Sequence, residues 1–189
     1  MAVREALRSA GVSPKEEPMA FVNGTTVGGM DCSEQYYLDF LNNDSRNEFI
    51  ALHDVGACTR QIAEHTGPFV YQASTSTACS SAANAIIHAA RMLECGEAEM
   101  AVAGGTECLT KFHLNGFNSL LILDNAPCRP FCKTRAGLNL GEGAAYVVLE
   151  TPEAAQRHGH RPLAILTGYG NACDAFHQTA TSETADGPY

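Results

Sequence analysis

The residue best placed to do chemistry is Cys79, in the run Ser74-Thr75-Ser76-Thr77-Ala78-Cys79-Ser80-Ser81-Ala82-Ala83. A cysteine is reactive when its thiolate is stabilised, and the unpaired N–H groups and macrodipole at a helix N-terminus do that. Cys79 stands where a strand-like run, Phe69-Val70-Tyr71-Gln72-Ala73, gives way to an alanine-rich segment of helical spacing. Its neighbours are small, so a bulky electrophile has room to approach the sulfur. On position alone the same residue also suits a tight strand–helix packing site, and both readings stand at this point.

Seven other cysteines occupy positions 32, 58, 95, 108, 128, 132 and 173, and none forms a Cys-x-x-Cys pair. The closest pair, Cys128 and Cys132, lacks a matching His or Cys pair at zinc spacing, so no metal site is expected. The first ten residues carry Arg4, Glu5 and Arg8 and lack the apolar middle of a secretion signal, so a disulfide framework is not expected either. Most of these cysteines are expected to be small buried hydrophobes.

The elements that must position Cys79 follow from periodicity and breakers. Val3, Leu7 and Val12, interleaved with charges, predict a short amphipathic helix that stops at Gly11. Residues 19–22 read as a strand feeding the turn Asn23-Gly24-Thr25-Thr26-Val27-Gly28-Gly29. Residues 31–66 are mixed and polar, helical in parts. After the strand at 69–73 and a polar turn over 74–77, Ala82, Ala85, Ile86, Ala89 and Leu93 predict a helix over 80–95 with a small apolar face, ended by Gly96. A buried strand follows at 100–103, then a loop and helix over 106–125, an irregular stretch over 126–135, and an apolar strand over 144–150. Residues 152–160 read as a charged helix and 163–167 as a further strand. Strands alternating with helices argue a layered α/β architecture.

Composition excludes several classes. Of the 189 residues, 45% are hydrophobic and 17% charged, so a core can form and a wholly disordered chain is excluded. No apolar run approaches the roughly 20 residues needed to cross a bilayer, and the expected location is the cytoplasm. The net charge of −9 leaves no broad basic footprint, so neither nucleic acid nor an acidic membrane is expected as a partner.

The 74–83 run resembles the nucleophile segment of β-ketoacyl synthases, the condensing enzymes of fatty-acid and polyketide synthesis with the thiolase fold. The resemblance is collinear from about residue 2 to the end. Gly67-Pro68 precedes the nucleophile strand; Ala90-Arg91, Gly96 and Ala103-Gly104-Gly105-Thr106-Glu107 follow at the family's spacing. Cys128-Arg129-Pro130-Phe131 is similar to its Ser-Arg-Pro-Phe segment, and Gly137-Leu138-Asn139-Leu140-Gly141-Glu142-Gly143-Ala144 to its glycine–glutamate segment. Gly168-Tyr169-Gly170 and Asp174-Ala175-Phe176-His177-Gln178-Thr179 resemble the turn where the second half of the fold begins. The discrete type II elongation enzymes are the nearest kind.

The resemblance implies a function. Cys79 would take an acyl group from a carrier-protein thioester, and a malonyl carrier protein would lose carbon dioxide and attack it, forming a 3-oxoacyl thioester. The backbone N–H of Cys79 would be one oxyanion donor, a contribution of about 3 kcal/mol for such groups. Val27 and Phe117 would line the acyl pocket, the alternative for both being ordinary core or dimer-contact residues. Glu107 and Glu142, each at a glycine-rich strand end, would satisfy backbone N–H groups. His177 corresponds to a non-catalytic histidine of the family, whose catalytic histidines and lysine lie beyond residue 189; the other six histidines match no catalytic position. No cofactor is implied. The implied partners are acyl carrier protein and a twin or related subunit, with the strand at 69–73 pairing across a two-fold axis.

Departures bear on that reading. Cys132 and Ala136 stand where the family carries aspartates. Asn118 and the apolar run Leu120-Leu121-Ile122-Leu123 stand where relatives carry an arginine that meets the carrier protein, so this run could mark a protein contact. A non-catalytic partner subunit of a synthase heterodimer is the competing reading; a thiolase or an acetyl-transferring initiation enzyme fits the 128–131 and 141–143 segments less well. The expected fold is a thiolase-like layered α/β/α arrangement: residues 1–160 form an N-terminal half that lacks its first strand, and 161–189 begin the C-terminal half. Lacking that central strand, the sheet is expected to expose a long unpaired edge and half its apolar face, so residues 1–189 are expected neither to fold nor to turn over alone.

Overall fold

The computed structural model describes residues 1–43, 48–177 and 180–187. Gln178 and Thr179 of the family-like segment lie outside the described residues. Among the described residues, six helices, α1 (Ala2–Ala10), α2 (Met30–Asn43), α3 (Val55–Thr66), α4 (Ser81–Glu94), α5 (Lys111–Ser119) and α6 (Pro152–His158), accompany four strands, β1 (Ala20–Gly24), β2 (Tyr71–Thr75), β3 (Met100–Glu107) and β4 (Gly143–Glu150). A 3-10 turn spans Glu48–His53.

The sheet runs in the order β2-β1-β3-β4. β1 is parallel to both neighbours, and β4 is antiparallel to β3. Side chains alternate between faces along each strand, which divides the core in two. Phe21, Met19, Met100 and Val102 pack with Val3 and Leu7 of α1, Ala63 of α3 and Ala154 of α6. Ala20, Val22, Ala101 and Ala103 pack with Ala85, Ala89 and Met92 of α4. The result is the layered helix–sheet–helix arrangement expected from the sequence. β1 is buried at every residue because helices cover it on both sides.

Local chemistry fixes the boundaries. Gly11 adopts φ 70° and caps α1 with N–H bonds back to Arg8 and Leu7. Val3 and Leu7 are then buried, each contributing about 1.5–3 kcal/mol by leaving water. Asp54 and Thr151 cap α3 and α6 by accepting from the N–H three residues on. Asn23, fully buried in β1, donates to Thr59 Oγ1 (3.1 Å) and accepts from the Tyr146 hydroxyl (2.8 Å), so its amide is satisfied.

Two expectations, a strand over 163–167 and buried cysteines, need correction. β1 and β3 pair with each other directly, so the unpaired edges lie outside them. The edges are β2 and β4, and β4 carries the exposed face, with Val147 45% accessible. Residues 163–167 form no strand: Leu163, Ile165 and Leu166 are exposed, and no described strand offers them a ladder partner. The cysteines are not buried. Cys79, Cys95, Cys128 and Cys173 are exposed and the other four half-buried; all are free thiols, Cys32 and Cys58 on helices and the rest on turns and loops.

Candidate active site

Cys79 lies in a tight turn between β2 and α4, one residue before the helix cap Ser80, and is exposed. Ala78, just before it, has φ 53°, a conformation that costs a residue with a Cβ about 1–2 kcal/mol. Hydrogen bonds hold it there. The Ala78 carbonyl accepts from the Ser81 hydroxyl (2.7 Å), the Ser81 N–H (3.0 Å) and the Thr26 hydroxyl (3.2 Å). Ser81 Oγ in turn accepts the Thr77 N–H at 2.9 Å. Asn84, one turn into α4, donates to Thr77 Oγ1 (2.8 Å) and Ser80 Oγ (3.2 Å). Strained backbone over-determined by its surroundings is typical of functional sites.

Small residues let the head of α4 rest on the sheet. A Cβ on Gly24 would strike the Ser81 carbonyl carbon and sit 2.5 Å from the Ala82 nitrogen. One on Gly105 would come within 2.8 Å of the Ala82 Cβ and of the Gly24 oxygen. Gly24 and Gly105 are opposite each other in the β1–β3 ladder, so the helix start meets a bare strip of backbone.

The turn after β1 is organised by Glu107. Its carboxylate accepts from the Thr26 N–H (2.8 Å), the Val27 N–H (3.2 Å) and the Thr25 hydroxyl (3.1 Å). Thr25 Oγ1 also accepts the Gly28 N–H at 3.0 Å, and Gly28 takes φ 58°. Val27 is thereby buried, 2% accessible. Glu142 accepts the Leu109 N–H at 3.3 Å. Both glutamates thus do what their place at glycine-rich strand ends implies.

Phe117 is half-buried in α5, its ring 6.1 Å from that of His113. The start of α5 is held by Glu34, which accepts the N–H groups of Lys111 and Phe112 at 2.8 Å each. Glu34 lies in the stretch whose sequence carried no clear pattern. Beneath the Val27 turn is a cavity of about 180 Å³ lined by Gly29, Cys32, Leu52, Cys58, Glu107 and Cys108 among others. Burial, with the Asp31 and Glu107 carboxylates nearby, pushes the Cys108 thiol up to about 12, and burial raises Cys58 as well. Neither this cavity nor a larger one of about 650 Å³ beside α1 and the end of α3 is lined by Cys79, Val27 or Phe117.

The chain beyond α6 returns to α4. Asn171 donates to Asn84 Oδ1 at 2.9 Å, and the Tyr169 hydroxyl donates to Glu94 at 2.5 Å with Arg91 over its ring. Tyr169 and Asn171 therefore lie against α4. His177 is exposed. In the apolar run, Leu120 and Leu121 are exposed and Leu121 has φ 56°. The loop carrying Cys132 is tied by Asn139, which donates to the carbonyls of Asp124 and Ala126 and accepts the Cys128 N–H.

A layered sheet with a cysteine on a strained turn at the head of a central helix defines the thiolase-like class of fold. Residues 1–155 match the family model described as the N-terminal domain of β-ketoacyl synthase, and the chain belongs to that family. It is 36% identical over 188 residues to nodulation protein E of Rhizobium meliloti, covering 95% of this chain and 46% of that protein. It is 30% identical over 199 residues to 3-oxoacyl-[acyl-carrier-protein] synthase 2 of Staphylococcus aureus, covering 99% of this chain and 49% of that one. The chain therefore spans about half the length of the curated relatives it matches. Among solved structures, a ketosynthase in complex with its chain length factor from Xenorhabdus doucetiae aligns with TM-score 0.73 at 30% identity, over 98% of this chain and 45% of that one. The ishigamide ketosynthase/chain length factor aligns with TM-score 0.82 at 27% identity, over 94% and 46%. No described helix is long and apolar enough to cross a membrane.

Proposed function

We propose that this chain is the nucleophile-bearing part of a condensing acyltransferase, and that Cys79 carries the growing acyl group. The observation that carries the reading is the exposed sulfur on a hydrogen-bonded, positive-φ turn at the head of α4. In the first stage the Cys79 thiolate attacks the carbonyl of an acyl carrier protein thioester; a new C–S bond forms and the carrier thiol leaves. In the second, a malonyl carrier loses carbon dioxide and its enolate carbon attacks the acyl-enzyme, expelling the Cys79 thiolate and leaving a 3-oxoacyl carrier. The Cys79 N–H serves as one oxyanion donor in both. Phe117 and the turn backed by the buried Val27 form the walls of the acyl pocket, completed by the second thiolase-like half that the resemblance implies and that begins at residue 161. The reaction takes place in the cytoplasm and needs neither cofactor nor metal.

The same reading assigns a partner. β2 is a sheet edge whose Tyr71 is 39% accessible, and Val70 beside it is 69% accessible. An unpaired edge of that kind accepts a second strand, and a twin or a chain-length-factor-like subunit supplies it. Two similar solved structures are pairs of ketosynthase and chain length factor, which keeps the non-catalytic subunit as the second reading. Condensation assays on the full-length protein with its partner separate the two. Loss of 3-oxoacyl product in Cys79→Ala supports catalysis by this chain, and unchanged product in that variant assigns this chain the scaffold role.

A further inference from the structure

Away from the Cys79 turn, two histidines and a glutamate converge where β4 hands over to α6. Glu150 ends β4; His158 ends α6; His160 follows two residues on. Gly159 between them has φ 70°, and the chain doubles back with the His160 N–H bonded to the Ala155 carbonyl at 2.9 Å. That reversal brings both rings to one carboxylate. His158 Nδ1 lies 3.0 Å from Glu150 Oε1, and His160 Nδ1 lies 2.8 Å from Oε2. The three donor groups are all within 4.8 Å of one another, and their side chains are only 13–26% accessible.

We propose that Glu150, His158 and His160 bind a divalent transition-metal ion of the zinc class. Two imidazoles and one carboxylate are a zinc donor set, with water completing the tetrahedron. A tetrahedral ion with bonds of about 2.0–2.1 Å holds its donors about 3.3–3.4 Å apart, so each ring nitrogen withdraws a few tenths of an ångström from the carboxylate while the wider separations within the 4.8 Å cluster close toward that value. Metallation at Nδ1 puts the remaining ring proton on Nε2. For His158 that atom faces Glu17 Oε1 at 3.6 Å, a carboxylate placed to receive the N–H and fix the tautomer. Glu17 belongs to the α1–β1 connection, so the bound ion clasps that connection, the end of β4 and the end of α6 together.

Titration of the full-length protein with Co²⁺, followed by visible absorption and by thermal unfolding, tests this. One equivalent is expected to give the d–d bands of a tetrahedral nitrogen–oxygen site and to raise the unfolding midpoint. His160→Gln and Glu150→Gln, which keep side-chain size and hydrogen bonding, are expected to weaken binding by about 100-fold or more, and Glu17→Gln by about 10-fold. Circular dichroism of each variant without metal separates lost binding from lost folding. Binding that persists unchanged in His160→Gln and Glu150→Gln overturns the proposal. So does cobalt spectra dominated by thiolate charge transfer, which would place the ion on the free cysteines, or no stoichiometric binding at all.

Discussion

Ser81 Oγ donates to the Ala78 carbonyl across 2.7 Å while accepting the Thr77 N–H at 2.9 Å, so one hydroxyl closes the turn on both sides of the residue that strains it. Ser81 is 4% accessible, and water cannot easily replace it. Ser81→Ala removes both bonds of that hydroxyl, leaving the Ala78 carbonyl with the Ser81 N–H and the Thr26 hydroxyl, and we expect it to lower stability by about 1–3 kcal/mol for the two bonds together. Urea denaturation measures this; a loss under about 0.5 kcal/mol would show that the hydroxyl does not hold the turn.

Ala78 itself makes the opposite prediction. Relief of φ 53° by Ala78→Gly removes the Cβ penalty, partly offset by the greater freedom of glycine when unfolded. The expected outcome is a stability gain of about 0.5–1 kcal/mol. Ala78→Val should lower it. Matching denaturation midpoints for the three proteins would contradict a strained turn.

Gly24→Ala places a methyl against the backbone of Ser81 and Ala82, which no side-chain rotation can clear. The head of α4 must then lift from β1, at a cost of about 1–3 kcal/mol or more. Because that movement displaces the Cys79 turn, the rate of Cys79 acylation should fall along with stability. A fully stable variant with unaltered acylation would disprove the close approach.

Much of this was legible beforehand. Gly11 and Gly96 mark helix ends, the apolar face of α4 follows from Ala85 and Ala89, and the roles of Glu107 and Glu142 follow from their glycine-rich strand ends. What pattern could not supply was long-range pairing. The segment at 163–167 is apolar and strand-like, yet no described strand pairs with it, and a ladder needs a partner that local sequence does not encode. Glu34 reaching across to cap α5 is hidden for the same reason, since 77 residues separate it from Lys111. The Glu150–His158–His160 convergence depends on a glycine reversal and a strand end, not on a zinc-like spacing of cysteines.

The exposed apolar residues bear on autonomy. Leu121, Leu163 and Ile165 are 88%, 99% and 78% accessible, and both β2 and β4 are open edges. We predict that residues 1–189 expressed alone associate and unfold without a cooperative transition, read by gel filtration and calorimetry. A monomer with one sharp calorimetric transition would contradict this. Stability comparisons among variants therefore belong on a chain that carries the second half proposed above.

Alkaline pH provides another test. The Cys108 thiol is raised from 9.0 to about 12, by burial first, so it stays protonated in the folded chain where the unfolded chain has lost its proton. The stability this contributes is present below about pH 9 and is lost as pH climbs toward 12. The urea midpoint should fall across that window, and Cys108→Ser should flatten the fall. An equal slope in both proteins would remove Cys108 as the cause.

The most direct measurement is peptide mass spectrometry after the full-length protein has been incubated with a long-chain acyl carrier protein. The account predicts an acyl thioester on the peptide containing Cys79, lost on hydroxylamine treatment and absent in Cys79→Ala. An acyl group found on another cysteine, or none on Cys79 in a protein that forms product, would contradict it.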